Sequence, residues 1–294
     1  MPMVLPGRRK YGDRMQEYKK FYQKFKDKSH LGYPIGHRAN YQLADRQPEN
    51  SLSAIDRCIK CGVLFLEIDL QETKDGYLVL CHDQSIDRMT NRTGKISELS
   101  LAEIKKANLY EGDGSSKQLT EQKIPTIDEV LSTFKDKALF NIDKGWEYRE
   151  KLNYLLKKES AFHQVIVKSA APLVDVREFL TQAAPDFMYM HKIFNRDLHM
   201  ISEIIEDLKP QILELSFFAD DEELIQPSIL DKLRKHANIW VNALNVSRNN
   251  GHNDEKSLSN PAEGWGFLLQ LQPNYIQTDY AKQYAAIYQK QLKL

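Results

Sequence analysis

Short apolar runs rich in Ile, Val, Leu and Phe alternate along this chain with longer stretches whose apolar residues recur at helical spacing. The runs at 31–36, 64–70, 77–81, 138–142, 164–168, 187–191, 212–217, 238–242 and 275–278 predict strands. The stretches at 126–134, 146–157, 173–182, 198–208 and 225–236 predict helices. Strands that are apolar on both faces and separated by helices form a parallel sheet covered on both sides. No G-x-G-x-x-G follows the first run, so a dinucleotide-binding open sheet lacks its signature. About eight strand–helix units without a break in composition predict an α/β fold of the (β/α)8, or TIM, barrel type.

Nine runs are one too many for eight barrel strands. Only residues 71–76 separate the second run from the third, too few for a parallel crossover of about a dozen residues. The run 77–81 therefore returns antiparallel, as a small hairpin insertion turning at Lys74-Asp75-Gly76. That register sets Thr73 against Tyr77 and Asp69 against Cys81, and brings His82 beside Ile68 and Asp69. A slip of one residue would turn His82 away. Residues 1–30 carry a charged helical run with Tyr18, Phe21, Tyr22 and Phe25, and predict an N-terminal helical extension ahead of a barrel domain at 31–294.

The 294 residues hold 41 basic and 41 acidic side chains, so the chain lacks the global positive field of a general nucleic-acid binder. No apolar run approaches the roughly 18–20 residues that cross a bilayer, so no transmembrane segment is expected. The chain as written opens without an export signal, which predicts a cytoplasmic location; a periplasmic or secreted protein with its signal trimmed would read the same. Three cysteines make no disulfide framework. The lone Cys58-x-x-Cys61 lies at the end of the amphipathic stretch from Ser51 to Lys60, with no second C-x-x-C and no nearby His pair, and reads as a helix face rather than a redox or zinc site. Oligomeric state is left open.

Functional residues of such a barrel belong at the C-terminal ends of its strands. There the chain places His37 and Arg38, then Glu67 and Asp69, then His82 and Asp83, then Asp143 and Lys144, then Lys168, with Trp240 and Asn242 near a late strand. Glu67 and Asp69, two apart on a strand, share one face. With Asp143 they make an all-oxygen set suited to Mg2+ or Ca2+; ion pairing to Arg38 or Lys144 is the alternative that the spacing allows. Two histidines suit phosphoryl transfer, one to take a proton and one to give it. Arg38 offers a bidentate fork for a phosphate, and Lys144, Lys168 and Trp240 are further substrate-binding candidates. His30 and His163 precede strands and belong at the opposite end, His199 and His236 fall in helices, His191 ends a strand, and His252 lies in the polar loop 247–259.

The order and spacing of His37-Arg38, Pro48-Glu49-Asn50, Glu67-Ile68-Asp69-Leu70, Thr73-Lys74-Asp75-Gly76 and His82-Asp83 resemble the glycerophosphodiester phosphodiesterase family. The resemblance runs on through Gly94-Lys95, Ile124-Pro125-Thr126 with Glu129, Asn141-Ile142-Asp143-Lys144, Trp240-Val241-Asn242 and Gln277-Thr278-Asp279, and covers roughly 36–280. It implies a TIM barrel, a divalent metal that is usually Ca2+ or Mg2+, and cleavage of a small-molecule glycerophosphodiester to sn-glycerol 3-phosphate and an alcohol. Carried over, His37 and His82 are the general acid and base, Glu67 and Asp69 are metal ligands, and Arg38 binds phosphate. Asp143 stands where the family usually has a Glu ligand, and Glu49 matches a site residue of open role. Ala39 replaces the usual Gly, and Lys144 follows the acid directly where acid-x-Lys is commoner. Two other readings use the same residues: a phospholipid-cleaving phosphodiesterase with an apolar rim, and a silent barrel that binds phosphodiesters.

Overall fold

The computed structural model describes residues 11–39 and 46–291; the first ten residues of the expected extension lie outside the described residues. Nine strands form one sheet: β1 (Tyr33–Gly36), β2 (Phe65–Glu72), β3 (Leu78–Leu80), β4 (Leu139–Asp143), β5 (Val165–Ser169), β6 (Met188–Phe194), β7 (Ile212–Ser216), β8 (Asn238–Asn242) and β9 (Tyr275–Thr278). All but β3 are parallel, and β1 pairs with both β2 and β9, which closes an eight-stranded barrel. Each strand is nearly all buried because helices cover its outer face and side chains fill the interior.

The hairpin has the expected register. Leu70 faces Leu80, Thr73 N donates to Tyr77 O at 2.9 Å, and Cys81 N donates to Asp69 O at 3.2 Å. Thr73 Oγ1 accepts from Tyr77 N at 2.9 Å, and Gly76 supplies the positive φ of 84° that the turn requires. The insertion is larger than a hairpin, however. Residues 82–125 form turns and short helices over a satellite core of Val79, Cys81, Ile86, Met89, Ile96, Ile104, Ala107, Leu109 and Ile124. Their apolar residues are scattered singly among turn residues, so no helix or strand period announces them. The helix expected at 198–208 is broken into a 3-10 turn (Asn195–Met200), one α turn (Ile201–Glu203) and a π turn (Ile204–Leu208).

The helix Tyr11–Lys26 seals the bottom of the barrel. Tyr18, Phe21 and Phe25 are buried in the main core; Phe21 and Phe25 reach Phe65, and Phe25 O accepts from Asn238 Nδ2 at 3.1 Å. It therefore lies at the end of the barrel opposite the strand C-termini, and supplies no apolar rim beside them. No helix among the described residues is long and apolar enough to cross a membrane.

The interior changes character along the axis. Near the sealed end, Phe65 packs edge-on against Trp240 and Tyr275, with ring centres 5.3 and 5.1 Å apart. One step of two residues toward the C-terminal ends, apolar gives way to polar: Phe65 to Glu67, Ile166 to Lys168, Met190 to Lys192, Ile212 to Glu214, Trp240 to Asn242. An aromatic floor thus lies beneath a charged mouth.

Candidate active site

Strands β2 and β4 place the carboxylates. Glu67 pairs in register with Asn141, and Asp69 with Asp143. Donor oxygens of Glu67, Asp69 and Asp143 lie within 4.8 Å of one another, so the expected triad assembles. Burial, then Asp69 beside it, pushes the Glu67 carboxyl up to about 8. Burial alone would also raise Asp143, but Lys168 holds it below the usual carboxylate range. Between these acids the Asn141 amide is fully buried, and neither its oxygen nor its nitrogen has a hydrogen-bond partner among the described residues. Two buried carboxylates, a half-exposed third and an orphaned amide oxygen are a donor set that fits a hard divalent cation.

Each histidine is gripped by a carboxylate through Nδ1. His37 Nδ1 lies 2.7 Å from Asp279 Oδ1, which places its Nε2 toward the acids, 3.8 Å from Glu67 Oε2. Burial would lower the pKa of His37, yet Asp279 and Glu67 outweigh it and raise it. His82 Nδ1 lies 2.7 Å from Asp83 Oδ1, and Arg88 Nε donates to Asp83 Oδ2 at 2.7 Å. The backbone of His82 is tied too, since its carbonyl accepts from Lys144 Nζ at 2.5 Å and from Gln71 Nε2 at 3.3 Å. Lys144 adopts a left-handed φ of 60°, and its ammonium serves this carbonyl.

Glu49 joins the two arginines. Its buried carboxylate accepts from Arg88 Nη2 at 2.6 Å and from Arg38 Nη1 at 3.3 Å. Arg38 N donates to Glu67 Oε2 at 2.9 Å, while the buried Arg38 Nε has no hydrogen-bond partner among the described residues. Asn50 orients Asp69, donating to Oδ2 at 2.8 Å and accepting from Asp69 N at 3.1 Å. Arg38 and Ala39 both have left-handed φ, 47° and 58°, which accounts for glycine being usual at the second.

The other half of the mouth centres on Glu214, which sequence reasoning missed. Lys168 Nζ lies 3.1 Å from Asp143 Oδ1 and 3.4 Å from Glu214 Oε2. Lys192 Nζ and Asn242 Nδ2 meet Glu214 Oε1 at 2.8 and 2.9 Å. Burial would raise Glu214, but Lys168 and then Lys192 hold it ionised. The only signal was a lone acid in phase inside the apolar run Ile212–Ser216. Asp279 and Arg88 also went unassigned: Asp279 meets a partner 242 residues away, and Arg88 lies among the turns of 82–125, which carry no period. Trp240 sits below this half, fully buried, its Nε1 donating to Asn242 Oδ1 at 2.7 Å. His191 faces the helix layer, 2.7 Å from Tyr189 Oη, outside the mouth.

The chain matches the model of the Glycerophosphoryl diester phosphodiesterase family over residues 37–215. A second model, described as a domain of unknown function, matches residues 187–287. The chain is 35% identical over 144 residues to a glycerophosphodiester phosphodiesterase of Caldanaerobacter subterraneus, a match covering 46% of this chain and 56% of that protein, or just over half its length. Among solved structures, a glycerophosphoryl diester phosphodiesterase of Parabacteroides distasonis superposes with a TM-score of 0.74 at 20% identity, covering 94% of this chain and 92% of the other. An Oleispira antarctica phosphodiesterase, in complex with the product sn-glycerol-3-phosphate, superposes with a TM-score of 0.63 at 19% identity, covering 87% and 96%. At these identities the two structures share the barrel.

Proposed function

Since the chain belongs to the glycerophosphoryl diester phosphodiesterase family, we propose that it hydrolyses glycerophosphodiesters to sn-glycerol 3-phosphate and an alcohol. The observation that carries this reading is the pair of carboxylate-held histidines, His37–Asp279 and His82–Asp83, beside one carboxylate triad. In this reading Glu67, Asp69 and Asp143 would hold a Mg2+ or Ca2+ ion. When bound, that ion supplies positive charge against the phosphate oxygens and offsets the charge that develops there.

The chain's own groups do the rest. Arg38, held in place by Glu49 and Asp69, offers its guanidinium to a phosphate oxygen. Lys168, kept as ammonium because Glu214 and Asp143 outweigh its burial, adds a second fixed charge. One imidazole takes a proton at Nε2 from the nucleophile, either water or the neighbouring glycerol hydroxyl, as its oxygen bonds to phosphorus, and the other gives one to the leaving alkoxide; on the hydroxyl route water then opens the cyclic phosphate. Asp279 and Asp83 occupy Nδ1 in both rings, so each ring presents the free nitrogen in a fixed orientation. The bond that breaks joins phosphorus to the alcohol oxygen, and the glycerol side keeps the phosphate.

The test is release of glycerol 3-phosphate from a panel of glycerophosphodiesters by chelated protein, then with Mg2+ or Ca2+ restored. Turnover that disappears on chelation and returns with metal is expected. Absence of turnover with every headgroup and both metals overturns the reading.

A further inference from the structure

Residues 187–287, matched by the domain of unknown function, are no separate body in this chain: they supply β6, β7, β8 and β9, which close the barrel against β1. Their loops build the side of the mouth that faces the carboxylate triad. The connection is continuous. Asp143 meets Lys168 at 3.1 Å, Lys168 meets Glu214 at 3.4 Å, and Glu214 meets Lys192 at 2.8 Å. Lys192 Nζ then lies 5.6 Å from the centre of the Phe194 ring.

Phe194 carries two more cations. The Arg196 guanidinium lies 4.5 Å from its ring centre and that of Arg248 lies 5.3 Å away. Arg248 also lies 5.1 Å from the ring of Phe218, which is 58% exposed. Three cations around one ring repel one another, and stacking offsets only part of that cost. The acids nearby are engaged. Glu214 is shared by two lysines, and Asp197 lies 3.7 Å from Arg196 and accepts from Phe194 N. Asp220 bonds Asn250 and His252, and Glu222 accepts from Phe218 N. Arg248 has no carboxylate within 4.0 Å among the described residues, so its charge is left for a ligand.

A glycerophosphodiester has two arms. The glycerol arm is a neutral diol and has no use for surplus cations. We propose that the rim of Phe194, Arg196, Phe218 and Arg248 receives the alcohol arm, and that it selects alcohols bearing a further phosphate. This rests on the phosphodiesterase reading above and names its substrate class. The phosphorus at the triad and a second phosphate at Arg196 and Arg248 would then engage opposite sides of one mouth.

The test compares glycerophosphoinositol with glycerophosphoinositol 4-phosphate, which differ by one phosphate. The metal-loaded protein should show kcat/KM at least about tenfold higher for the phosphorylated diester, the fold-change that one charge-assisted hydrogen bond carries. In the double variant Arg196→Ala, Arg248→Ala, checked for native circular dichroism, that ratio should fall toward one. Turnover with a ratio near one in the wild type, or a ratio that survives the double substitution, overturns the rim assignment and leaves the phosphodiesterase reading standing. Calorimetric titration with inositol 4-phosphate separates the other case. Binding by the wild type and not by the double variant, with no diester of the whole headgroup panel cleaved with either metal, would uphold the rim as an anion site and remove the phosphodiesterase reading. No cleavage across that panel and no binding removes both.

Discussion

Asp143 on β4 and Lys168 on β5 meet at 3.1 Å, so one carboxylate of the triad is met by an ammonium from the neighbouring strand. Lys144, next to Asp143 in sequence, turns instead to the carbonyl of His82. The charge beside the triad is thus Lys168, held between a mouth carboxylate and the fully buried Glu214. Lys168→Met should cost about 3 kcal/mol of stability, the usual penalty for leaving a buried ion without its partner, with Lys192 sharing part of the burden. Activity should fall by a factor of roughly 100 or more, as when a preorganised charge is removed from a phosphate site. Lys144→Met should reduce activity less, since it loosens the hairpin end rather than removing a charge from the mouth. Urea unfolding and initial rates on both variants check this, and equal losses would contradict it.

Asp279 sets the protonation of His37. Burial works against the imidazolium, and the hydrogen bond that His37 Nδ1 donates to Asp279, with the charge of Glu67, overcomes it. Asp279→Asn should move the kinetic limb belonging to His37 to lower pH. The linked stability has a definite sign. A histidine whose folded pKa is raised contributes below its unfolded value near 6.5 and loses that contribution as pH rises through the folded value. A pH–rate profile of the variant that superimposes on the wild type would show that Asp279 has no such role.

Two other histidines act in the opposite sense. His30 and His191 are buried, and burial lowers both to about 4. His30 Nε2 lies 3.1 Å from Phe21 O, a position for a neutral N–H donor. A depressed histidine stabilises above its unfolded pKa, and that stability is lost as pH falls toward the folded value. Stability should therefore drop between about pH 6.5 and pH 4. The drop should be about 3 kcal/mol per histidine. Replacing both by Gln should flatten this part of the curve, as urea midpoints at pH 7 and pH 4.5 would report.

Ala39 has a left-handed φ of 58° and is fully buried. Ala39→Gly relieves about 1 kcal/mol of backbone strain and loses a similar amount of methyl burial and chain entropy, so the melting temperature should hardly move. Ala39→Val puts a β-branched residue at positive φ in a closed space and should cost more than about 2 kcal/mol. Thermal melts of the pair decide the matter; a valine variant as stable as the glycine one would refute the strain argument.

The parts legible in the sequence were those with a local signal. The barrel strands were announced by apolar runs, and the hairpin by a gap too short for a crossover. His37, Glu67, Asp69, His82 and Asp143 stood at strand ends in an order that carried the family resemblance. Glu214 was hidden because one acid in an apolar strand reads as an exception to its run. The satellite core over residues 82–125 was hidden because isolated apolar residues among turns have no period.

Alternation along each strand determined which residues face inward, since that depends on the chain's own pleat. It was enough to place the carboxylates and histidines at one end of a barrel. Who meets whom was decided only by tertiary structure. His37 and Asp279 are 242 residues apart and become partners because β9 closes on β1. Lys168 reaches both Asp143 and Glu214 because barrel curvature points side chains of strands β4, β5 and β7 at one axis. Such contacts depend on strand order, tilt and closure, which are properties of the assembled sheet and leave no mark in any one segment.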